Sequence, residues 1–331
     1  MSLEQTHRDR ESGTVAVIGA DIGGTKIEVA LATVSGEILD RVRIPSNAAD
    51  GPDQAFTRLG KVVEELRHRA DVGHGLAVAA IAAVSPGVVQ AERILLAPNL
   101  PGWEGVALAH EIRMLAGLDV VAVTNDVKAG ALAELRFGAL RDVDPGIYVN
   151  LGTGIAAAVT VHGQVLPGAH QASGEIGYFV SDVATGGERL QPRPALEEII
   201  GGKALGERAS VLLAEEIASS DLFDRRDPVS TNLVHHALGA LAAALVNISV
   251  LLDPERIVLG GGMMASSNTI LPVLQAYLVR FAPFPPVLAL AKFAEDASLH
   301  GAVALAADAL AEAQISAHRS VAPNMIKGVA W

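Results

Sequence analysis

The feature that most constrains the fold is a strand–glycine–strand pattern that occurs twice in the chain. In each copy two apolar runs flank a short glycine turn: residues 15–21 and 27–32 around Gly23-Gly24, and residues 147–151 and 155–161 around Gly152-Thr153-Gly154. Apolar runs of this length joined by glycines are typical of β-hairpins, and a positive φ is expected at Gly24. Helical spacing follows each copy, so two related α/β halves are predicted.

The remaining elements fit that scheme. A helix is predicted after Asp50, which can cap it, with Pro52 in its first turn. Further strands are predicted at 38–44, 76–84, 120–124, 164–166 and 256–259, and further helices at 127–137 and 237–252. We expect a flexible tail over 1–12, a small α/β domain over 13–120 and a larger one over 121–300.

Composition excludes several classes of protein. The net charge of -12 argues against a nucleic-acid surface, which needs basic residues to release counterions. The chain has no cysteine, so disulfides, thiolate nucleophiles and cysteine-built zinc sites are excluded. The first residues lack a signal-peptide pattern, and the apolar run 237–252 is shorter than a membrane span. We therefore expect a cytoplasmic protein with no membrane or nucleic-acid partner.

The first glycine turn carries a candidate phosphate site. It reads Asp21-Ile-Gly23-Gly24-Thr25-Lys26, which is neither a P-loop nor a dinucleotide fingerprint. Two glycines allow backbone N–H groups to approach a phosphate, and Thr25 adds a hydroxyl donor. Asp21 can hold Mg²⁺, directly or through water. An ordinary hairpin is the alternative for this turn taken alone.

Two further glycine segments strengthen the nucleotide interpretation. Gly152-Thr153-Gly154 stands between two strands like the first turn, and Gly260-Gly261-Gly262 follows a strand. Each segment alone is a weak signal because glycine turns are common. Together they predict a nucleotide whose phosphates are held from more than one side.

The pair Asn125-Asp126 directly follows the predicted strand 120–124. Ligands of open α/β sheets collect at the carboxyl ends of strands. A carboxylate there can accept a hydroxyl proton from a substrate, and Asn125 can bond sugar hydroxyls. Helix capping by Asp126 is the alternative for this pair.

Taken together, these motifs resemble the ROK family of repressors, open reading frames and sugar kinases, over about residues 15–311. The resemblance rests on the phosphate motif from Asp21 and on six motifs that follow in family order: Ser85-Pro-Gly87, Asn99-Leu-Pro-Gly-Trp103, Asn125-Asp126, Leu151-Gly-Thr-Gly154, Gly174-Glu-Ile-Gly177 and Leu259-Gly-Gly-Gly262. The resemblance implies an α/β, actin- and hexokinase-like (ribonuclease H-like) ATPase fold of two domains with a central cleft, in which a final helix at about 301–314 joins the first domain.

The resemblance also implies an activity and a set of residue roles. The activity is that of an ATP- and Mg²⁺-dependent, glucokinase-like sugar kinase in which Asp126 deprotonates the acceptor hydroxyl. The implied sugar contacts are Gly87, Asn99, Asn125, Glu175 and Glu197. The implied nucleotide contacts are the turn from Gly23 to Lys26 and the segments 152–154 and 260–262. A homodimer or homotetramer is also implied.

The chain departs from the family pattern at its zinc motif. Tyr178 stands where the family usually has a histidine that contacts sugar and zinc. The cysteine cluster expected before Glu197 is missing, so no zinc site is predicted. Two interpretations of Tyr178 are open: it contacts the sugar, or it fills space left by the zinc loop.

Alternative functions are a catalytically weak sugar-binding or regulatory protein, a chaperone-type ATPase, and a kinase that uses polyphosphate as donor. A DNA-binding repressor is not expected, because only about a dozen residues precede the first predicted strand. The pattern leaves the acceptor open among glucose, mannose, amino sugars, N-acetylated sugars and cyclitols.

Overall fold

A computed structural model describes residues 15–180 and 195–321 of the chain. The predicted tail over 1–12 lies outside the described residues. The chain forms two compact units, one from residues up to Ala129 together with those from Ser298 onward, the other from Gly130 to Ala297. The domain limits near residues 120 and 300 stay a prediction.

The first unit begins with an α/β segment. In chain order its elements are β1 (Val15–Ile22), β2 (Lys26–Thr33), β3 (Ile38–Pro45), α1 (Pro52–His74), β4 (Ala77–Ser85), β5 (Val88–Val89), β6 (Ile94–Leu95), α2 (Leu108–Ala116), β7 (Val120–Asn125) and the start of α3 (Asp126–Phe137).

The second unit repeats the arrangement with more helix, and a last helix returns to the first unit. The elements are β8 (Gly146–Leu151), β9 (Ile155–Val161), β10 (Gln164–Val165), α4 (Leu196–Ile200), α5 (Gly202–Leu213), α6 (Ser219–Leu222), α7 (Pro228–Leu252), β11 (Arg256–Gly260), α8 (Ser267–Phe281), β12 (Val287–Leu290) and α9 (Ala297–Val321).

The sheet of the first unit has the strand order β3-β2-β1-β4-β7. β1 and β2 form an antiparallel hairpin, whereas β1, β4 and β7 run parallel to one another. Register aligns Asp21 with Val84, and Ser85 with Asn125. The carboxyl ends of three parallel strands therefore meet at one edge of this sheet.

Both faces of this sheet are covered. On one face α1 and α2 pack with alternate residues of β1 and β2, among them Ile18 and Val29. On the other face α9 packs through Leu299 and Val303 against Val17 and the neighbouring strands. Because both faces are buried, the central strands read as almost unbroken apolar runs.

The sheet of the second unit has the order β10-β9-β8-β11-β12. β8 and β9 form the second glycine hairpin, and β8, β11 and β12 run parallel. The core beside it contains α4, α5, α7 and α8 with residues such as Ile147, Leu205, Leu241 and Leu274. The two hairpins and their order thus confirm the predicted pair of related α/β halves.

Three local expectations were wrong. Gly51, not Asp50, is the N-cap of α1, because Asp50 lies in a preceding 3-10 turn and pairs with Arg58. Neither Gly23 nor Gly24 has a positive φ, and the turn over residues 23–26 is closed by the Gly23 N–H on the Lys26 carbonyl without one. The final helix begins at Ala297 and ends at Val321, beyond both predicted limits.

The apolar helix α7 is longer than predicted. It begins at Pro228 because Asp227 caps it by accepting from the Ser230 N–H. Its length and hydropathy are sufficient to cross a membrane, and half of its most apolar window is buried inside the protein. Buried residues such as Leu238 and Leu245 pack in the core of the second unit, as a core helix does.

Candidate active site

Four of the predicted site residues meet at one edge of the first sheet. Asp21 is near the carboxyl end of β1, Gly87 follows β4, and Asn125-Asp126 spans the junction of β7 and α3. Gly87 has a φ of 93°, and a Cβ there would lie 2.6 Å from the Leu95 carbonyl oxygen. Only glycine fits that position, which brings this loop close to the strand ends.

Asn125 and Asp126 have different tasks at the start of α3. Asn125 is buried, and its Oδ1 accepts from the Lys128 N–H at 2.8 Å, which is the geometry of a helix N-cap. Asp126 is partly exposed, and its Oδ1 accepts from the Val127 N–H at 2.9 Å. Because Asn125 provides the cap, the Asp126 carboxylate is not required as one.

Asp21 lies in an unusual electrostatic environment. Burial of its carboxyl raises the pKa of Asp21 to about 6, the hydroxyl of Ser298 opposes this, and the charges of Asp126 and Glu28 raise the pKa further. Two carboxylates that raise each other's cost of ionisation favour a cation beside them. Oxygen ligands of this kind suit Mg²⁺.

The turn from Gly23 to Lys26 lies close to the segment that holds Asn99. A Cβ on Gly24 would lie 2.9 Å from the Asn99 carbonyl oxygen. The Ser46 N–H donates to the Thr25 carbonyl at 3.0 Å and fixes the other side of the turn. The turn therefore brings a predicted sugar contact next to the predicted phosphate contacts.

Lys26 ends the turn and joins a cluster of charges on β2 and β3. Its ammonium pairs with Glu28, which also accepts from Arg41 and Arg43 at 2.8 Å. Burial alone would raise the pKa of Glu28, but Lys26, Arg43 and Arg41 together lower it to about 2. Lys26 is thus held by a carboxylate that stays ionised.

The glycine segments of the second unit pack against each other. The Gly152 N–H donates to the Gly154 carbonyl at 3.0 Å, which closes the turn between β8 and β9. Gly261 has a φ of 90°, and its Cβ would lie 2.5 Å from the Leu151 carbonyl oxygen. The segments 152–154 and 260–262 therefore lie side by side at the carboxyl ends of β8 and β11.

Glu197, on α4, forms a hydrogen bond with the turn between β8 and β9. Its Oε2 accepts from the Ile155 N–H at 2.9 Å, and a Cβ on Gly154 would lie 2.2 Å from the same oxygen. The N–H groups of Gly202 and Lys203 donate to the carbonyls of Gly152 and Thr153, each at 3.0 Å. A predicted sugar contact is therefore bonded to a predicted nucleotide turn within one unit.

Tyr178 lies close to two carboxylates of the second unit. Partial burial raises the pKa of Tyr178, and the charges of Glu175 and Glu197 raise it further. The side chain is 60% exposed, so little of it is used in packing. A neutral hydroxyl is thereby presented beside two predicted sugar contacts.

Metal sites of the zinc type depend on several ligands at once. Within residues 15–180 and 195–321, no group of three or more histidine, aspartate or glutamate side chains is placed to hold a metal ion. The stretch in which the family's cysteine cluster would fall, residues 184–194, lies outside the described residues.

Two site neighbours escaped the sequence analysis. Ser298 donates to Asp21, and Gly301 packs on the backbone of Ala129 in α3. Gly301 offered a weak signal as a glycine inside a helical pattern. Nothing in the sequence pattern singled out Ser298.

The comparisons with known proteins decide the family. The model of the ROK family matches residues 17–309. The chain belongs to the ROK family. The kanosamine kinase of Amycolatopsis mediterranei is 31% identical over 304 residues, which cover 89% of this chain and 97% of that protein.

Solved structures of ROK proteins agree with the fold. The ROK hexokinase of Thermus thermophilus superposes with a TM-score of 0.75 at 27% identity, over 90% of this chain and all (100%) of that one. The ROK glucokinase of Streptomyces griseus, solved with glucose and AMPPNP, superposes with a TM-score of 0.69 at 25% identity. The match covers 88% of this chain and 99% of that one. The predicted actin- and hexokinase-like α/β class is confirmed, and the protein is a phosphotransferase of the sugar-kinase class.

Proposed function

We propose that this ROK protein transfers the γ-phosphoryl group of ATP to a hydroxyl of a hexose or amino sugar, with Asp126 as the general base. The observation that carries the proposal is the carboxyl edge of β1, β4 and β7. There Asn125 caps α3 and Asp126 presents a partly exposed carboxylate in the first helical turn. The N-terminal end of a helix favours the ionised carboxylate, as a base requires.

In the proposed reaction Asp126 takes the proton of the acceptor hydroxyl. The oxygen attacks the γ-phosphorus, the bond from that phosphorus to the bridging oxygen breaks, and ADP leaves with the electron pair. The product is a sugar phosphate. Positioning and charge stabilisation supply most of the catalysis in such transfers.

The nucleotide side is assigned to the glycine segments. Backbone N–H groups of Gly23, Gly24, Gly152, Gly154 and the segment 260–262 would hold the phosphates, with Thr25, Thr153 and Lys26 as further donors. Asp21, beside Asp126, fits Mg²⁺ as a half-buried oxygen ligand, and water and phosphate would complete the coordination. Bound Mg²⁺ supplies neutralisation of phosphate charge.

On the acceptor side we assign the sugar contacts that the family resemblance implies: Gly87, Asn99, Asn125, Glu175, Tyr178 and Glu197. Carboxylates, amides and a neutral phenol suit a polyol, because each hydroxyl can donate and accept. The names of the relatives, a kanosamine kinase and glucokinases, support a hexose or an amino sugar.

An ADP-release assay over glucose, mannose, amino sugars, N-acetylated sugars and cyclitols tests this proposal. We expect turnover that needs both a sugar and Mg²⁺. Sugar phosphate formed from inorganic polyphosphate but not from ATP would show that polyphosphate is the donor. Sugar binding without phosphate transfer from either donor would replace the kinase by a binding function.

The remaining expectations concern the whole protein. We propose that it acts in the cytoplasm, without nucleic-acid or membrane partners, as a homodimer or homotetramer. Sedimentation in solution tests the assembly, and a monomer at micromolar concentration would contradict it.

A further inference from the structure

The start of α9 contacts a carboxylate of the proposed active site. The Ser298 hydroxyl donates to Asp21 Oδ2 at 2.5 Å, although the two residues are 277 positions apart in the chain. Both belong to the first unit. Hydrogen bonds to a carboxylate are short and directional, so this one fixes the orientation of the Asp21 carboxylate.

The backbone around Ser298 is closely packed on the elements that hold both carboxylates. A Cβ on Gly301 would lie 1.9 Å from the Ala129 carbonyl oxygen, one turn of α3 after Asp126. A Cβ on Gly19, two residues before Asp21, would lie 2.6 Å from the Val303 backbone nitrogen. Contacts this close leave the first turns of α9 almost no freedom to slide.

Asp21 needs such support because its surroundings oppose a fixed, ionised carboxylate. Burial of the carboxyl opposes its ionised form most, the charges of Asp126 and Glu28 add repulsion, and the cation Lys26 offsets part of this. Lys26 is itself paired with Glu28. The Ser298 hydroxyl is thus the neutral donor that holds one Asp21 oxygen in place.

We propose that Ser298 is a positioning residue of this kinase. It holds Asp21 Oδ2 so that the other carboxylate oxygen meets the Mg²⁺ that accompanies the nucleotide. The proposal rests on the function proposed above. It assigns to the first turn of α9 a role in nucleotide binding in addition to its packing on the sheet.

The test compares Ser298→Ala with Ser298→Thr, which keeps the hydroxyl, and with Ser316→Ala, which changes an exposed serine of the same helix. Calorimetry measures the Kd for a non-hydrolysable ATP analogue with Mg²⁺ and with excess chelator. Steady-state kinetics measures KM for ATP and for the sugar, and thermal melting verifies the fold.

We expect Ser298→Ala to weaken binding of the Mg²⁺ complex about three- to tenfold, the effect of losing about one net hydrogen bond. The KM for ATP should rise by a similar factor, while the sugar KM and the affinity measured with chelator stay near wild type. Ser298→Thr should restore most of the loss, and Ser316→Ala should behave as wild type.

Equal affinities of wild type and Ser298→Ala for the Mg²⁺ complex would overturn the positioning role. An equal loss with and without Mg²⁺ would also overturn it, because that result indicates general damage to the turn. Failure of the proposed function has a different signature: the wild type itself would bind no nucleotide and turn over no sugar.

Discussion

At the residue scale, the neighbouring residues Asn125 and Asp126 have separate roles: Asn125 stabilises the helix, and Asp126 is the base of the proposed reaction. Asn125 bonds the Lys128 N–H and caps α3, whereas Asp126 is partly exposed in the first turn. Asp126 can therefore be changed with little cost to the helix, which makes its catalytic role testable.

Asp126→Asn should lower kcat by roughly 10² to 10⁴, because the amide cannot accept the hydroxyl proton. Sugar affinity and Tm should stay close to wild type. Asp119→Asn, at the exposed amino end of β7, is the matched control and should leave kcat unchanged. Near-normal turnover of Asp126→Asn would remove the residue from the proton transfer.

Tyr178 offers a second single-residue test. Its side chain is 60% exposed beside Glu175 and Glu197, so Tyr178→Phe should leave Tm unchanged. If the hydroxyl bonds the sugar, KM for the preferred sugar should rise about two- to tenfold, the range for one net hydrogen bond. An unchanged KM would show that the hydroxyl makes no bond to the sugar.

Glu28 links charge to stability. Its pKa falls from 4.5 to about 2 in the folded chain, so its ionised form stabilises the protein above about pH 4.5. Glu28→Gln should cost on the order of 2–3 kcal/mol near neutral pH. As pH falls from 4.5 toward 2, Glu28 becomes protonated and the wild type loses this stabilisation. The difference in free energy of unfolding between wild type and Glu28→Gln should therefore shrink by more than half near pH 3.

Denaturant unfolding of the wild type and of Glu28→Gln, at about pH 7 and at about pH 3, measures this difference in stability. Glu37→Gln changes an exposed glutamate just before β3 and should have little effect at either pH. A stability difference that is the same at both pH values would contradict the ion-pair explanation.

At the element scale, the hairpin of β1 and β2 packs closely against the segment that holds Asn99. Gly24 was expected to be a glycine because of its backbone conformation, but its φ is ordinary. The close approach of the Asn99 carbonyl is the reason that the structure provides. Substitution there should disturb two elements at once.

Gly24→Ala should therefore raise KM for ATP and also KM for the sugar, each by about threefold or more, since a Cβ must displace the Asn99 backbone. Gly24→Val should have the larger effect. Gly73→Ala, in α1 with no atom within 4 Å of the new methyl, is the control and should be neutral or slightly stabilising. A rise in KM for ATP without a rise in KM for the sugar would show that the Asn99 segment moves aside without affecting sugar binding.

At the scale of the whole molecule, the absence of cysteine from the chain predicts that no structural zinc is needed. Elemental analysis of the purified protein should find far less than one zinc per chain, and Tm should not change after treatment with a strong chelator. One zinc per chain, or a chelator-dependent loss of structure, would contradict the prediction.

The sequence by itself determined the two glycine hairpins, most of the other strands and the family, but α2 (Leu108–Ala116) and β12 (Val287–Leu290) were not predicted. Apolar periodicity and glycine turns act over a few residues, so β1, β2, β8 and β9 could be predicted within one residue at each end. The cap at Asp227 was missed, and with it the true start of α7, because a capping side chain acts one turn ahead of the apolar pattern.

The tertiary structure decided which distant residues act together. Ser298 reaches Asp21, Asn99 approaches Gly24, and Glu197 bonds the turn after β8. No local propensity links such residues, because their contacts follow from sheet register and from the packing of helices on the strands. A serine in the last helix becomes part of the proposed site only when that helix lies across the end of the first strand.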